Sequence, residues 1–273
     1  MGNAEIKDVN LELLIATMNR SSLHFLVDLF PFSDYKKFNI LIVNQTTEAN
    51  LLHSDIENIK VVNSFEKGLS KSRNLAILEA TGDICLFVDD DVKFKSNFDY
   101  LILEAHIQNM QAAIITFKME NFDGELFKAY PKVLKHDLNS IQSVNSVVIS
   151  FKREKILASN LLFDVNFGLG SVFETADEYI FMRDALKLNL KPRFKPELIL
   201  SHPVFSSGQL DATDKNIFGV SALFCKYYGV FSYFKLIHHL YLLFNQNKIN
   251  TSKIFRKFKV GLSGIKKYKS LKK

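Results

Sequence analysis

Ile84-Cys85-Leu86-Phe87-Val88-Asp89-Asp90-Asp91 is an unbroken apolar run that ends in three carboxylates. Five apolar residues in succession predict a strand buried on both faces, as in a parallel sheet covered by helices. In such sheets ligands collect beyond the carboxyl ends of the strands, which is where the three acids fall. Side chains alternate along an extended chain, so Asp89 and Asp91 share one face and Asp90 points the other way. Two carboxylates on one face repel unless a proton or a cation comes between them. A divalent ion such as Mg2+ or Mn2+ takes oxygen ligands and keeps places open for phosphate oxygens. The competing account is a solvated acidic turn, because Asp is common in turns.

The flanking sequence repeats the pattern. Leu11 to Thr17, Asn39 to Val43 and Ile59 to Val62 read as further buried strands. Leu23 to Phe30 has helical spacing and is stopped by Pro31, and Ser70 to Ala80 reads as a helix with Ser70 as N-cap and Gly82 beyond its end. Strands alternating with helices imply an α/β domain whose mostly parallel central sheet carries helices on both faces. After Lys95 the pattern loosens. Tyr100 to Met110 reads as helix, Ala113 to Met119 as extended, and Val144 to Phe151 as strand. A loop over Phe163 to Ser171 leads to a helix from about Ala176 to Leu188, and a short strand, Glu197 to Leu200, ends at Ser201-His202-Pro203.

The stretch Gly68-Leu69-Ser70-Lys71-Ser72-Arg73-Asn74 sets a glycine, two hydroxyls and two cations around a helix N-terminus. Free N–H groups there favour anions, and Arg73 offers phosphate a two-pronged donor. A cation in the first turn opposes the helix dipole, so it needs a partner, either a bound phosphate or a nearby carboxylate.

With Ala80-Thr81-Gly82-Asp83 and Phe87-Val88-Asp89-Asp90-Asp91, this stretch resembles the family 2 glycosyltransferases of the type A fold. The likeness runs from about Leu11 to Phe205. It implies one domain over residues 1–215, with a nucleotide-sugar half over about 1–95 and an acceptor half over about 96–215. It further implies that Asp89 meets the ribose, that Asp91 meets the metal, and that Asp90 is a variable middle position beside the donor. Nucleotide contacts would come from Thr17 and Arg20 after the first strand and from Asn44 and Gln45 after the second. An acidic residue is common in the family where this chain has Asn44.

A second block, Phe163-Asp164-Val165-Asn166-Phe167-Gly168-Leu169-Gly170 followed by Asp177-Glu178-Tyr179-Ile180-Phe181-Met182, resembles the capsular and surface-polysaccharide members of the family. The resemblance implies that Glu178 is the general base for the incoming hydroxyl. Asp177, standing where the family more often has Glu, is the reserve candidate. Locally, Thr175-Ala176-Asp177-Glu178 also spells a capping box, in which the Glu reaches back to the Thr backbone. The resemblance places a metal-ligating His near His202, although a loop histidine can equally be solvated.

Composition bounds the rest. At 273 residues and 47% hydrophobic, the chain can bury a large core and is not disordered as a whole. Cys85 and Cys225 are its two cysteines, too few for a disulfide framework or a zinc site, and they suit a reducing compartment. Met1 to Asn10 lacks an apolar leader, so the expected location is the cytoplasm. Of the 35 Lys and Arg, 13 lie between Lys215 and Lys273, where there is no Asp or Glu. Residues 1–214 therefore hold 22 basic against 29 acidic side chains. A basic, aromatic-rich tail over 216–273 on an acidic body points to an anionic membrane surface and away from nucleic acid. Lys226 and Lys235 interrupt the first half of the tail, which argues against a bilayer span. The second half could lie in the interface with Phe255, Phe258 and Tyr268 inserted, or its helices could simply pack on the core.

The expectation is an inverting, metal-dependent hexosyltransferase peripheral to the cytoplasmic face of the membrane. Its donor would be a nucleotide diphosphate sugar, UDP-linked, and its acceptor a lipid-linked surface glycan such as a capsule precursor. The rivals are a nucleotidyltransferase, which would need basic residues in a Gly-rich run after the first strand, and a non-catalytic nucleotide-sugar-binding subunit.

Overall fold

The computed structural model describes residues 9–203 and 212–272. Most of the stretch Met1 to Asn10, the end of the resemblance at Phe205 and the last tail residue, Lys273, lie outside the described residues. The chain forms two compact units, one from residues 9–164 and 178–203, the other from 165–177 and 212–272.

In the first unit the elements run β1 (Leu11–Met18), α1 (Phe25–Leu29), β2 (Asn39–Gln45), β3 (Ile59–Ser64), α2 (Leu69–Glu79), β4 (Ile84–Asp89), β5 (Lys93–Phe94), α3 (Phe98–Gln108), β6 (Ile114–Glu120), β7 (Ile149–Lys152), α4 (Arg153–Ser159), α5 (Asp177–Lys187) and β8 (Arg193–Ser201). All eight strands join one sheet in the order β3-β2-β1-β4-β7-β6-β8-β5. The four strands expected from the N-terminal half are parallel throughout. β7 and β5 run against their neighbours, so the sheet beyond β4 is mixed.

The alternation of side chains splits the core in two. Leu13, Ile15, Ile40, Ile42, Leu86 and Val88 pack on one face with α1 and α3. Leu14, Leu41, Val43, Cys85 and Phe87 pack on the other with α2, α4 and α5. Burial on both faces is what an unbroken apolar run requires. On the second face Phe87 meets Phe163 at 5.2 Å and Phe181 at 5.8 Å between ring centroids, which fixes α5 against the central strand.

Several boundaries differ from the sequence reading. Strand β2 extends through Asn44 and Gln45, and Val144 to Val148 is coil and tight turn instead of strand. The cap of α2 is Gly68, not Ser70. Gly68 sits at φ 125°, which favours glycine, and its N–H donates to Gln45 Oε1 at 2.7 Å.

The second unit is helical: α6 (Asp214–Tyr228), α7 (Ser232–Asn245) and α8 (Thr251–Leu271). Asp214–Asn245 is long and apolar enough on composition to cross a membrane, despite Lys226 and Lys235. However, Gly229 at φ 53° breaks it into helices of 15 and 14 residues. At 1.5 Å per residue each is about 22 Å long, short of the roughly 30 Å hydrocarbon core. Helix α8 approaches its neighbours through glycines: a Cβ on Gly264 would stand 2.2 Å from the Phe218 carbonyl oxygen, and one on Gly261 2.4 Å from Leu236. Lys257 is buried and donates to the Ala212 carbonyl and to Asp214. Tyr268 is also buried, 6.1 Å from the rings of Phe167 and Phe173, so it is not a surface anchor as the tail reading had it.

Candidate active site

Register brings the candidate residues together. In the parallel ladder Ala16 lies beside Asp89, Thr17 beside Asn44 and Met18 beside Gln45, so the carboxyl ends of β1, β2 and β4 form one rim. Asp90 is the hub of its outer part. Its Oδ2 accepts from the Thr17 hydroxyl and from Arg20 Nε and Nη2, at 2.9 and 2.7 Å from the guanidinium. The variable middle acid thus holds the loop after β1.

Asn44 is fully buried and its amide is committed. It accepts from the Arg20 N–H at 3.1 Å and donates to the Arg20 carbonyl and to Asn63 Oδ1, both at 3.0 Å. Gln45, also buried, caps Gly68. Both residues shape the loops around the rim from beneath. Asn63, which drew no notice in the sequence, holds Asn44 in place because β3 sets it directly alongside in the ladder.

Arg73 lies under the acids. Its Nη2 donates to Asp89 Oδ1 at 3.1 Å and to the Ser146 hydroxyl at 2.7 Å, and the guanidinium sits over the Phe163 ring at 5.5 Å. Of the two partners open to it, phosphate or carboxylate, the carboxylate is present here. The Arg73 side chain is 4% exposed and that of Asp89 30%, so the cation is interior and the acid faces the rim.

Asp91 and His202 meet through the antiparallel pairing of β5 with β8. Lys93 lies opposite Ser201, which sets the chain just before β5 against the chain just after β8. His202 Nε2 is 3.7 Å from Asp91 Oδ1. His202 Nδ1 is 2.8 Å from the Pro203 carbonyl oxygen. A carbonyl only accepts, so Nδ1 carries the proton and Nε2 is turned towards Asp91. The Phe127 ring meets the imidazole edge-on at 5.5 Å and fixes its tilt. Burial raises the Asp91 pKa; His202 works against that, while Asp89 and Asp90 add to it. Excess negative charge of this kind is relieved by a cation.

Among the described residues no three His, Cys, Asp or Glu side chains gather as a metal site. Asp91 and His202 Nε2 are the donors that would hold Mg2+ or Mn2+, ions that take oxygen and nitrogen ligands beside phosphates. The orienting bond from Nδ1 to a carbonyl is the support such a ligand needs.

Glu178 is half-buried in the first turn of α5, whereas Asp177 is 6% exposed. Ala176 stands at φ 65° directly before the first helical residue, Asp177, so Thr175 does not occupy the N-cap and Glu178 is one position early for a capping box. Close enough to Glu178 for their charges to interact is Lys128, whose ammonium also donates to Asn145 Oδ1. Burial pushes the Lys128 pKa down to about 8, and Glu178 opposes that shift. Lys128, Asn145 and Ser146 are the neighbours that sequence reading missed. They sit in irregular segments with no periodicity to mark them.

A doubly covered sheet with acids, two arginines and a fixed histidine at its strand ends defines an α/β domain of the nucleotide-binding class. The signature of Glycosyl transferase family 2 matches residues 14–176, and the chain belongs to that family. No curated protein matches the sequence closely. Among solved structures, S. aureus TarS 1–349 in complex with UDP-GlcNAc is similar at TM-score 0.56 and 15% identity, over 95% of this chain and 81% of that one. TarS 1–349 in complex with UDP is similar at 0.54 and 16%, over 91% and 80%. A further structure of S. aureus TarS is similar at 0.52 and 17%, over 79% of this chain, which spans 40% of that one. At these identities the likeness is one of fold.

Proposed function

We propose that the chain transfers a hexosyl group, with inversion, from a UDP-linked sugar to a hydroxyl of a lipid-linked surface glycan. The observation that carries this reading is the rim at which Asp89, Asp90 and Asp91 converge with Arg20, Arg73 and His202. UDP is favoured because the similar TarS structures hold UDP and UDP-GlcNAc. Asp89 would accept from the ribose hydroxyls, and Thr17, Arg20 and Asp90 would border the base and ribose.

Asp91 and His202 would hold Mg2+ or Mn2+, which when bound offsets charge on the diphosphate. Arg73 lies one hydrogen bond below Asp89 and orients that carboxylate. Glu178 would take the proton from the acceptor hydroxyl, whose oxygen then forms the bond to the anomeric carbon as the bond to the diphosphate oxygen breaks. The electron pair of that bond leaves with UDP. Glu178 is preferred over Asp177 because it is the more accessible of the two. The basic helical unit would hold the enzyme peripherally at the cytoplasmic face of an anionic membrane, near a lipid-linked acceptor.

Titration calorimetry with UDP, with and without Mn2+, followed by a panel of nucleotide sugars scored for hydrolysis, tests the reading. Metal-strengthened UDP binding and hydrolysis of at least one UDP-sugar are expected. Binding of a nucleoside triphosphate in preference to UDP would overturn it in favour of nucleotidyl transfer, and binding without turnover of any sugar would favour a non-catalytic subunit.

A further inference from the structure

Helix α7 carries large apolar side chains in two stripes. Leu236, Leu240 and Leu243 are buried within the helical unit. Phe234, Ile237, Tyr241 and Phe244, spaced by three and four residues along one face, are exposed, Phe234 by 70%. On α8, Phe255 is exposed by 67%. A cavity of about 530 Å3 opens between the two helices, lined by Ile237, Tyr241 and Phe244 on one side and Ile254, Phe255 and Phe258 on the other. That size is within the roughly 300–1,000 Å3 of ligand pockets. A contiguous exposed apolar surface of this kind marks an interaction site.

Charge decides the occupant. No Asp or Glu occurs from Lys215 to Lys273, against 13 Lys and Arg. Three of those cations are spent inside the unit, Arg256 and Lys257 on Asp214 and Lys215 on Glu174. Others lie along aromatic rings of the same unit: Lys259 is 4.5 Å from the ring centroid of Phe255, which lines the cavity, Lys235 is 4.8 Å from that of Tyr228, and Lys269 is 5.1 Å from that of Tyr233. Lysines laid along aromatic rings around an apolar face suit the boundary between head groups and acyl chains. A second copy would bring the same positive charge against this face, and an anionic surface brings the opposite charge.

We infer that the α7–α8 groove seats an acyl chain of an anionic phospholipid, with Phe234 and Phe255 inserted below the head groups and the surrounding lysines at the phosphates. The inference rests on the membrane reading above and deepens it, because attraction of a basic tail alone requires no insertion. It also moves the inserted surface from the length of α8 to the exposed face of α7 and the start of α8.

The chain has no Trp, so a single introduced Trp reports on its own position. Full-length Phe234→Trp, Phe255→Trp and, on an exposed polar position of α8, Ser263→Trp are mixed with phosphatidylglycerol vesicles whose acyl chains carry bromine. Blue-shifted, quenched emission is expected from the first two and not from the third. Binding should persist in part at 1 M salt, where screening acts within about 3 Å. Phe234→Ser with Phe255→Ser should weaken that residual binding by about tenfold or more, with thermal unfolding and UDP-sugar hydrolysis in solution unchanged. Binding that salt abolishes, with no quenching at either Phe position, would overturn the acyl seat while leaving peripheral docking intact. No binding at low salt would overturn both readings. A blue shift at position 234 that depends on protein concentration and needs no vesicles would assign the face to a second copy and overturn the lipid occupant.

Discussion

His106 offers a quantitative test of the core beneath the site. It is 2% exposed, and its Nε2 lies 2.8 Å from the Ser150 hydroxyl, which donates its own proton to the Ile115 carbonyl at 3.1 Å. The hydroxyl can therefore only accept from the ring, so Nε2 carries the proton. Nδ1 has no hydrogen-bond partner among the described residues. A second proton would have to sit on Nδ1 in the interior, and burial, helped by Lys152 and Lys155, holds the pKa down to about 3. The unfolded chain takes up this proton near pH 6.5 and the native state does not, so stability falls as pH drops from about 6.5 towards 3. At about 1.4 kcal/mol per pH unit the loss between pH 7 and 4.5 is roughly 2.5 kcal/mol from this residue alone. His106→Leu removes the titration and leaves the Ser150 hydroxyl its bond to Ile115, so its cost at pH 7 should be about 1 kcal/mol. The two stability curves should therefore cross near pH 5 to 6, with the variant the more stable below. Urea denaturation followed by circular dichroism at half-unit steps from pH 7.5 to 4.5 measures this. Curves that run parallel would refute the tautomer and the buried neutral ring together.

Asp91→Asn should lower transfer by roughly a hundredfold or more and abolish the Mn2+ dependence of UDP binding, measured by calorimetry; full activity with a chelator present would remove the metal from the mechanism. Glu178→Gln keeps the shape and removes proton acceptance, so turnover should fall by about 10²–10⁴-fold while UDP affinity holds. A loss of folding stability with unchanged activity per folded molecule would show that Glu178 serves the helix end instead. Gly264→Ala should destabilise the helical unit by roughly 1–3 kcal/mol in thermal unfolding, because the added methyl meets a backbone carbonyl that cannot turn aside.

Much of the N-terminal half was legible in sequence because its signals are local. A five-residue apolar run such as Ile84 to Val88, following Gly82, reads as a strand covered on both sides, and the acids that end it then fall at the carboxyl edge of the sheet. The charge split between body and tail was legible in the same way, whereas the cap of α2 fell on Gly68 and not on Ser70 as the sequence suggested. Contacts made across the sheet were not. That Asp90 binds Arg20, that Asn44 is spent on the loop it borders, and that Arg73 lies under Asp89 depend on the register of β1, β2 and β4, which sequence spacing does not report. Asp91 and His202 are 111 residues apart in the chain. The pairing of two short strands, β5 with β8, brings them within 3.7 Å. The tail shows the same division. Its composition announced a basic, aromatic surface, whereas helix packing chose which aromatics face out: Tyr268 went into the core and Phe234 and Phe255 were left outside. The alternation of apolar and charged residues is written along one strand or helix. Which of two apolar faces is covered depends on what the rest of the chain brings against it, and that is settled only in three dimensions.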